Sequence, residues 1–306
     1  MRRCVALFPG QGCQRVGMGQ ALLARHGAAA TVMFERANAA VGFDLAALMR
    51  AGPAAELDKT ENAQPAILAC AVAAYRLEMP RDVAVLASAG HSLGEYASLV
   101  AAEALDFAQA CALVRRRGLL MQAAADAKGR SWAMAAVVNL SLDDALAIAS
   151  ECPAPWTCEV SASNGPLQTV LGGCADGVNW ALRCVKQRVP AKTRAVRLPV
   201  SVPFHTSVMQ PAAREFRAVL DTVVLRKPAF PVVFNATGTV LDDEAAIKRA
   251  LADGVTARVR WGDCVNALAL AVPAGALAVD VGATGLVRFG LPAGLVAATA
   301  PANVTW

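Results

Sequence analysis

The spacing of apolar and polar residues along the chain alternates between two rhythms. Val5-Ala-Leu-Phe8 is a short continuous apolar run of the kind a buried strand shows, and it stops at Pro9-Gly10-Gln11-Gly12. From Met18 to His26 the spacing turns helical. Helical spacing with Ala, Leu and Val on one face returns over Thr31–Arg50 and Gln64–Met79, parted by the breaker Ala51-Gly52-Pro53. Arg81 to Ser92 then predicts a second strand, followed by helices over Glu95–Ala102 and Phe107–Gln122.

Residues 130–199 keep a different order. Trp132–Asn139 predicts a strand, and Ser141–Glu151 a helix opened by Ser141 with Asp143 and Asp144 in its first turn. Cys158–Ser163 and Gln168–Leu171 predict two strands, Asp176–Gln187 a helix, and Thr193–Leu198 a strand. The order βαββαβ is that of a ferredoxin-like subdomain. Within it, Asn164 of the loop Ser163-Asn164-Gly165-Pro166 either lines a cleft or simply makes a turn. Beyond it the pattern predicts a helix over Val208–Leu220, a strand over Phe230–Asn235 and a helix over Asp243–Ala252. The run Val255–Trp261 leads to a helix ending at Ala271, a strand over Ala276–Val281 and the turn Gly282–Gly285. Strands alternating with helices imply a mostly parallel sheet covered on both faces. The expected fold is α/β: an α/β-hydrolase-like body over 1–129 and 200–306, with an inserted ferredoxin-like subdomain over 130–199 and the active site between them.

Composition narrows the functional classes. Charged residues are 17% of the 306, and the formal charge of +5 is not concentrated as in a nucleic-acid binder; it suits an anionic substrate or an acidic partner. The longest apolar candidate, Ala267–Val281, is broken by Pro273 and Gly275 and falls short of the ~20 residues of a membrane span. The apolar stretch after Met1-Arg2-Arg3 is too short for a signal peptide, so the expected location is cytoplasmic. Nine scattered cysteines without a Cys-x-x-Cys pair indicate free thiols in a reducing compartment and no metal site.

The chemistry gathers at Gly90-His91-Ser92-Leu93-Gly94-Glu95, where an apolar run gives way to a helical one. Gly-x-Ser-x-Gly at such a junction is the layout of a nucleophile elbow, which holds a strained, exposed serine at a helix N-terminus. Ser92 needs a base. The chain has three histidines: His26 sits at the polar end of an early helix, His91 occupies the variable position beside Ser92, and His205 remains as the best candidate. The turn at Gln11 is either a plain tight turn or a source of N–H groups for an anion, and it matches no phosphate-binding fingerprint. Arg115, Arg116 and Arg117 point three ways from one helix. Arg115 and Arg116 read as a solvated face, whereas the apolar surroundings of Arg117 imply a buried guanidinium in want of a carboxylate.

Phe8-Pro-Gly-Gln-Gly12, Gly90-His-Ser-Leu-Gly-Glu95, Arg117-Gly-x-x-Met121-Gln122 and Val202-Pro-Phe-His205 together resemble, in order and spacing, malonyl-CoA:acyl carrier protein transacylases and the acyltransferase domains of polyketide and fatty acid synthases. The resemblance implies a ping-pong S-malonyltransferase without a cofactor, taking malonyl-CoA as donor and the phosphopantetheine thiol of an acyl carrier protein as acceptor. It implies that Ser92 is the nucleophile, His205 the base, the N–H groups of Gln11 and Leu93 the oxyanion hole, and Arg117 the anchor of the malonyl carboxylate. Phe204 fits the malonyl-type signature, its bulk crowding a 2-methyl branch. His91 and Asn164 join the list of substrate-site candidates.

One departure stands out. Many members have Asn-Pro-Val-Gln-Trp where this chain has Ala257-Arg258-Val259-Arg260-Trp261, and an arginine cannot orient His205 by accepting a hydrogen bond. If a main-chain carbonyl orients the histidine, Arg260 is harmless. This arginine is similar to the transacylase subunit of malonate decarboxylases, so a decarboxylase complex and its own carrier are an alternative setting to fatty acid or polyketide synthesis. A hydrolase on the same serine and histidine, and an inactive carrier-binding subunit, are the rival functions. Lys186, Arg188, Lys192 and Arg194 offer a basic surface for an acidic carrier protein, with solvated side chains as the plainer reading.

Overall fold

The computed structural model describes residues 2–189, 193–282 and 285–298. Among them lie eleven strands: β1 (Arg2–Phe8), β2 (Val83–Gly90), β3 (Trp132–Val138), β4 (Cys158–Gly165), β5 (Gln168–Cys174), β6 (Arg194–Arg197), β7 (Val232–Phe234), β8 (Thr239–Leu241), β9 (Val259–Arg260), β10 (Ala276–Asp280) and β11 (Leu295–Ala297). Six form one sheet in the order β11-β10-β1-β2-β7-β8, parallel throughout except for the β7–β8 hairpin. Its central strand shows why the apolar run of β1 is continuous. Cys4, Ala6 and Phe8 enter one hydrophobic cluster and Val5 and Leu7 another, so both faces of the sheet are covered.

The first cluster is built with helices. Thr60–Glu78 is buried on every side from Asn62 to Ala74, because its many alanines let neighbouring helices approach. The closest approach is at Gly118 of the helix Phe107–Asp126, where an added Cβ would come within 2.6 Å of the Glu61 Cα. The second cluster joins the sheet to the rest of the chain, since Met134, Ala162 and Val170 pack in it beside Val5, Leu7, Val259 and Trp261.

Met134, Ala162 and Val170 belong to the second sheet, ordered β6-β3-β5-β4-β9. Its first four strands pair antiparallel, and with the helices Leu142–Ser150 and Ala175–Arg188 they follow the predicted βαββαβ order. The fifth strand comes from later in the chain: β9 runs parallel to β4, with Ala162 opposite Val259 and Ser163 opposite Arg260. The sheet of residues 130–199 is thus completed by two residues from outside that range.

Some expectations are corrected. Thr31–Arg50 is two helices, Ala28–Val41 and Leu45–Ala51, because Gly42 turns left-handed at φ 79° and Asp44 caps the second by accepting from the Ala47 N–H. The run Val255–Trp261, for which the pattern predicts no element, holds a strand at Val259–Arg260, and Trp261 already starts the helix Trp261–Ala271. Strands β8 and β11 were not predicted; each has three residues and two exposed positions, too short to show a period. Part of the turn expected at Gly282–Gly285 lies outside the described residues. No helix among the described residues is long and apolar enough to cross a membrane.

Candidate active site

Strand β2 ends at Gly90 and the helix Gly94–Ala101 begins four residues later. Ser92 between them has φ 51°, a left-handed conformation that costs a serine roughly 1 kcal/mol or more. Glycine is needed on either side for space. An added Cβ on Gly90 would lie 1.8 Å from the carbonyl carbon of Gly94, and one on Gly94 would lie 2.3 Å from the Phe8 carbonyl oxygen. The turn is therefore pressed against itself and against the end of β1.

Ser92 Oγ lies 2.7 Å from His205 Nε2, and His205 Nδ1 lies 3.0 Å from the Ala257 carbonyl oxygen. A carbonyl only accepts, so Nδ1 carries the proton and Nε2 presents its lone pair to the serine hydroxyl. That is the tautomer a general base requires. Burial, then the positive charge of Arg117 and the neighbouring His91, push the His205 pKa down to about 3, so the imidazole is neutral at ordinary pH.

Arg117 reaches the same hydroxyl from the helix Phe107–Asp126. Its Nη2 donates to Ser92 Oγ at 3.2 Å and its Nη1 to Gln64 Oε1 at 2.9 Å, while the guanidinium lies 5.8 Å from the centre of the Tyr96 ring. The residue is 4% exposed, and among the described residues no carboxylate forms an ion pair with it and its Nε has no acceptor. Its neighbours are accounted for differently. Arg115 donates to Asn62 Oδ1 and covers Phe43, and Arg116 faces Glu215 at the surface.

A cavity of about 100 Å³ opens beside Ser92, Leu93, Arg117, His205 and Gln11, with Phe204 on its rim and Met134, Ser161, Ala162 and Val170 forming the opposite wall. Among the described residues, the backbone N–H groups of Gln11 and Leu93 donate to no protein acceptor. An outer groove of about 700 Å³ shares Gln11, Leu198, Val200 and Phe204 with this cavity, giving a way in between the two sheets.

The remaining candidates lie to the side. His91 lines the cavity but bonds through Nε2 to Asn164 Oδ1 at 2.9 Å. Asn164 does not line the cavity; its amide also donates to Gln168 Oε1, so it holds His91 in place. Arg260 is further removed. Its Nε donates to Asp263 Oδ2 at 2.7 Å, its side chain is 42% exposed, and the Ala257 carbonyl performs the orientation for which a residue at 260 was considered. Of the basic surface, Arg188 is tied to Glu151, Arg194 is exposed, and Lys192 lies outside the described residues.

Sequence reasoning missed Asn235 and Glu95. Asn235 is 2% exposed at the end of β7; its Oδ1 accepts from the Ser92 N–H at 2.5 Å and its Nδ2 donates to the Gly90 carbonyl at 2.8 Å. Its own N–H donates to Glu95 Oε1 at 2.6 Å, and burial pushes the Glu95 carboxyl up to about 8. Asn235 carries no local mark, since its partners at the elbow lie more than a hundred residues away in the chain. Glu95 was visible directly after the elbow but could be taken for an ordinary first-turn acid.

A strained serine bonded to a neutral imidazole, with a buried guanidinium facing the same cavity, is the equipment of a serine-dependent acyl-transfer enzyme on an α/β fold. The acyl transferase domain model matches residues 5–279, and the chain belongs to that family. It is 39% identical over 273 residues to the malonyl CoA-acyl carrier protein transacylase of Escherichia coli K12, covering 88% of this chain and 86% of that one. With the transacylase of the same name from Bacillus subtilis 168 it shares 35% identity over 269 residues, 88% of this chain and 83% of the other. Among solved structures, the malonyl-CoA:acyl carrier protein transacylase of Xanthomonas oryzae superposes with a TM-score of 0.87 at 35% identity, covering 98% of this chain and 95% of that one. A malonyl-transacylase solved in complex with a type II polyketide synthase acyl-carrier protein gives a TM-score of 0.87 at 34% identity, over 97% and 95% of the two chains.

Proposed function

We propose that this acyltransferase moves a malonyl group from malonyl-CoA to the phosphopantetheine thiol of an acyl carrier protein through a malonyl ester on Ser92. The observation that carries the reading is Arg117, a buried guanidinium that makes no ion pair among the described residues and whose Nη2 lies 3.2 Å from the Ser92 oxygen. A substrate carboxylate at that distance from the reacting carbon fits a short dicarboxylic acyl group. Acetyl or longer acyl groups leave the charge unpaired, at a cost of about 3–5 kcal/mol.

In the first half-reaction His205 Nε2 takes the Ser92 proton as Oγ adds to the thioester carbonyl. The N–H groups of Gln11 and Leu93 receive the oxyanion, the carbon–sulfur bond breaks, and the CoA thiolate leaves with the proton from His205. In the second half the carrier thiol gives its proton to His205 and attacks the ester, and Ser92 recovers that proton as the carbon–oxygen bond breaks. Phe204 at the rim crowds substitution at the carbon between the two carbonyl groups.

The same reading treats the main sheet with its helices, 1–129 and 200–306, as an α/β-hydrolase-like body. Residues 130–199 are then a ferredoxin-like subdomain, supported by the strand order β6-β3-β5-β4 of an antiparallel βαββαβ unit. A cytoplasmic setting is supported by nine cysteines that are all free thiols.

Incubation with malonyl-CoA alone, followed by intact-mass measurement, is expected to show one malonyl adduct in the wild type and none in Ser92→Ala. Continuous release of malonate without a carrier would identify a hydrolase instead. Offering the charged enzyme a fatty acid carrier protein and a malonate decarboxylase carrier subunit in parallel identifies the acceptor.

A further inference from the structure

Arg117 is the first member of a buried chain of hydrogen bonds that ends on the turn after β1. Its Nη1 donates to Gln64 Oε1 at 2.9 Å, Gln64 Nε2 donates to Thr60 Oγ1 at 2.9 Å, and Thr60 Oγ1 donates to Gln11 Oε1 at 2.9 Å. The direction of every link follows from the first. A guanidinium only donates, so the Gln64 amide must turn its oxygen to Arg117 and its nitrogen to Thr60. The threonine hydroxyl, already accepting from Gln64, then sends its proton to Gln11. Gln64 is fully buried and Thr60 is 3% exposed, so the first two links are shielded from water, while the last reaches the half-buried Gln11 at the edge of the outer groove.

The backbone reinforces the chain. Gly118, next to Arg117, lets its helix approach the main chain of Thr60 and Glu61 so closely that an added Cβ would meet the Thr60 oxygen at 2.8 Å. At the other end Gly10 packs the Gln11 turn on the elbow, an added Cβ there lying 2.7 Å from the His91 oxygen. Carboxylate anchor and helix start are thus in main-chain contact, and the turn is seated on the elbow that carries Ser92.

We propose that Thr60 and Gln64 are positioning residues that couple the carboxylate anchor Arg117 to the oxyanion turn at Gln11, so that recognition of a dicarboxylic acyl group raises the rate of acylation and not only the affinity. The inference rests on the malonyl-transfer reading. A substrate carboxylate on Arg117 holds the guanidinium in the orientation that sets the polarity of the relay, and the relay holds Gln11 with its N–H toward the cavity. An acyl group without a carboxylate leaves Arg117 held by its uncharged partners Gln64 and Ser92 alone, and the turn gains none of the added constraint of a charged pair.

The test is single-turnover acylation of Ser92, followed by intact mass, with malonyl-CoA and acetyl-CoA on the full chain. The wild type is measured first: failure to form a malonyl adduct would remove the underlying reading before the relay is tested. Thr60→Val keeps the volume and removes the hydroxyl. It is expected to slow malonyl acylation about fivefold to tenfold, the worth of one buried hydrogen bond, with half-saturation by malonyl-CoA changed less than about twofold. Acetyl acylation is expected to change little, and Thr60→Ser to restore the malonyl rate. In an Arg117→Ala background, Thr60→Val is expected to have almost no further effect. Gln11→Met removes the last acceptor while keeping the backbone N–H; it gives the same pattern and serves if Thr60→Val does not fold. Equal slowing of malonyl and acetyl acylation, an effect on half-saturation alone, or effects of Thr60→Val and Arg117→Ala that multiply would overturn the proposal.

Discussion

The two walls of the cavity are built on opposite principles. On the side of the main sheet the groups around Ser92 are positioned by directed bonds: Asn235 grips the elbow at the Ser92 N–H and the Gly90 carbonyl, Ala257 holds His205, and Gln64 holds Arg117. On the side of the second sheet the wall is Met134, Ala162 and Val170 with one hydroxyl, Ser161, which bonds back to the Val170 carbonyl. One wall positions charge and protons and the other supplies shape. Substitutions on the first should change the rate of chemistry, and those on the second should change which acyl groups fit.

His205→Ala puts the heaviest load on the first wall and is expected to lower acylation by about 10²–10⁴-fold. Because burial and Arg117 push the His205 pKa far below the ordinary 6.5, the base stays neutral as the solution is acidified. The acid limb of kcat/KM is therefore expected well below 6.5, and a limb at 6.5 would show that His205 is not the buried base described. Next in size is Asn235→Ala, which frees both flanks of a serine already in a strained conformation. Acylation by malonyl-CoA and acetyl-CoA should fall together, by about 10–100-fold, since a small misplacement of the nucleophile affects both substrates alike.

Glu95 lies behind that clamp. Its folded pKa of about 8 stands above the ordinary 4.5, so the native state holds a proton that the unfolded chain releases. Its contribution to stability is complete below 4.5 and is lost as pH rises through about 8. Glu95→Gln keeps the acceptor for the Asn235 N–H and removes this penalty, so melting temperatures of variant and wild type should diverge in favour of the variant from pH 5 to pH 9. An unchanged difference would mean that the carboxyl is ionised in the fold.

The opposite wall gives a smaller and different response. Met134→Ala enlarges the cavity from the side of the second sheet, where Met134 is 6% exposed, and should cost about 2–5 kcal/mol of stability. Malonyl acylation should change only a few fold while bulkier acyl-CoA esters gain relative to malonyl. A loss of malonyl acylation as large as that of Asn235→Ala would erase the distinction between the walls.

What could be read from the chain followed the same division. The residues proposed as nucleophile, base and carboxylate anchor stood out in the sequence because each is a rare residue in a marked setting: a serine between two crowding glycines, the last unassigned histidine, an arginine among apolar neighbours. The predicted βαββαβ order also appears in the fold, since its period switches are local. Asn235 was not legible, because its importance comes from partners on β2 and the following helix and not from its neighbours in sequence. Nor was the addition of β9 to the second sheet, a two-residue pairing between Ala162–Ser163 and Val259–Arg260 that no periodicity announces.

Arg260 gives the smallest effect and the sharpest check on where the first wall ends. In the sequence it stands where many relatives of the resembled family have a glutamine, close to the expected environment of the base, and an arginine there would spoil any orientation that depends on an accepting side chain. In the fold its guanidinium turns outward to Asp263 while the backbone at Ala257 accepts the His205 Nδ1 proton, and a main-chain carbonyl is unaffected by the side chain three residues on. The pair is largely exposed and adds little to stability. Arg260→Gln should therefore leave malonyl acylation within about twofold of wild type and leave the acid limb of the pH profile where it was. A rise in rate of tenfold or a displaced acid limb would mean that the side chain at 260 acts on His205 after all, and the boundary between the bonded wall and the surface would have to be redrawn to include it.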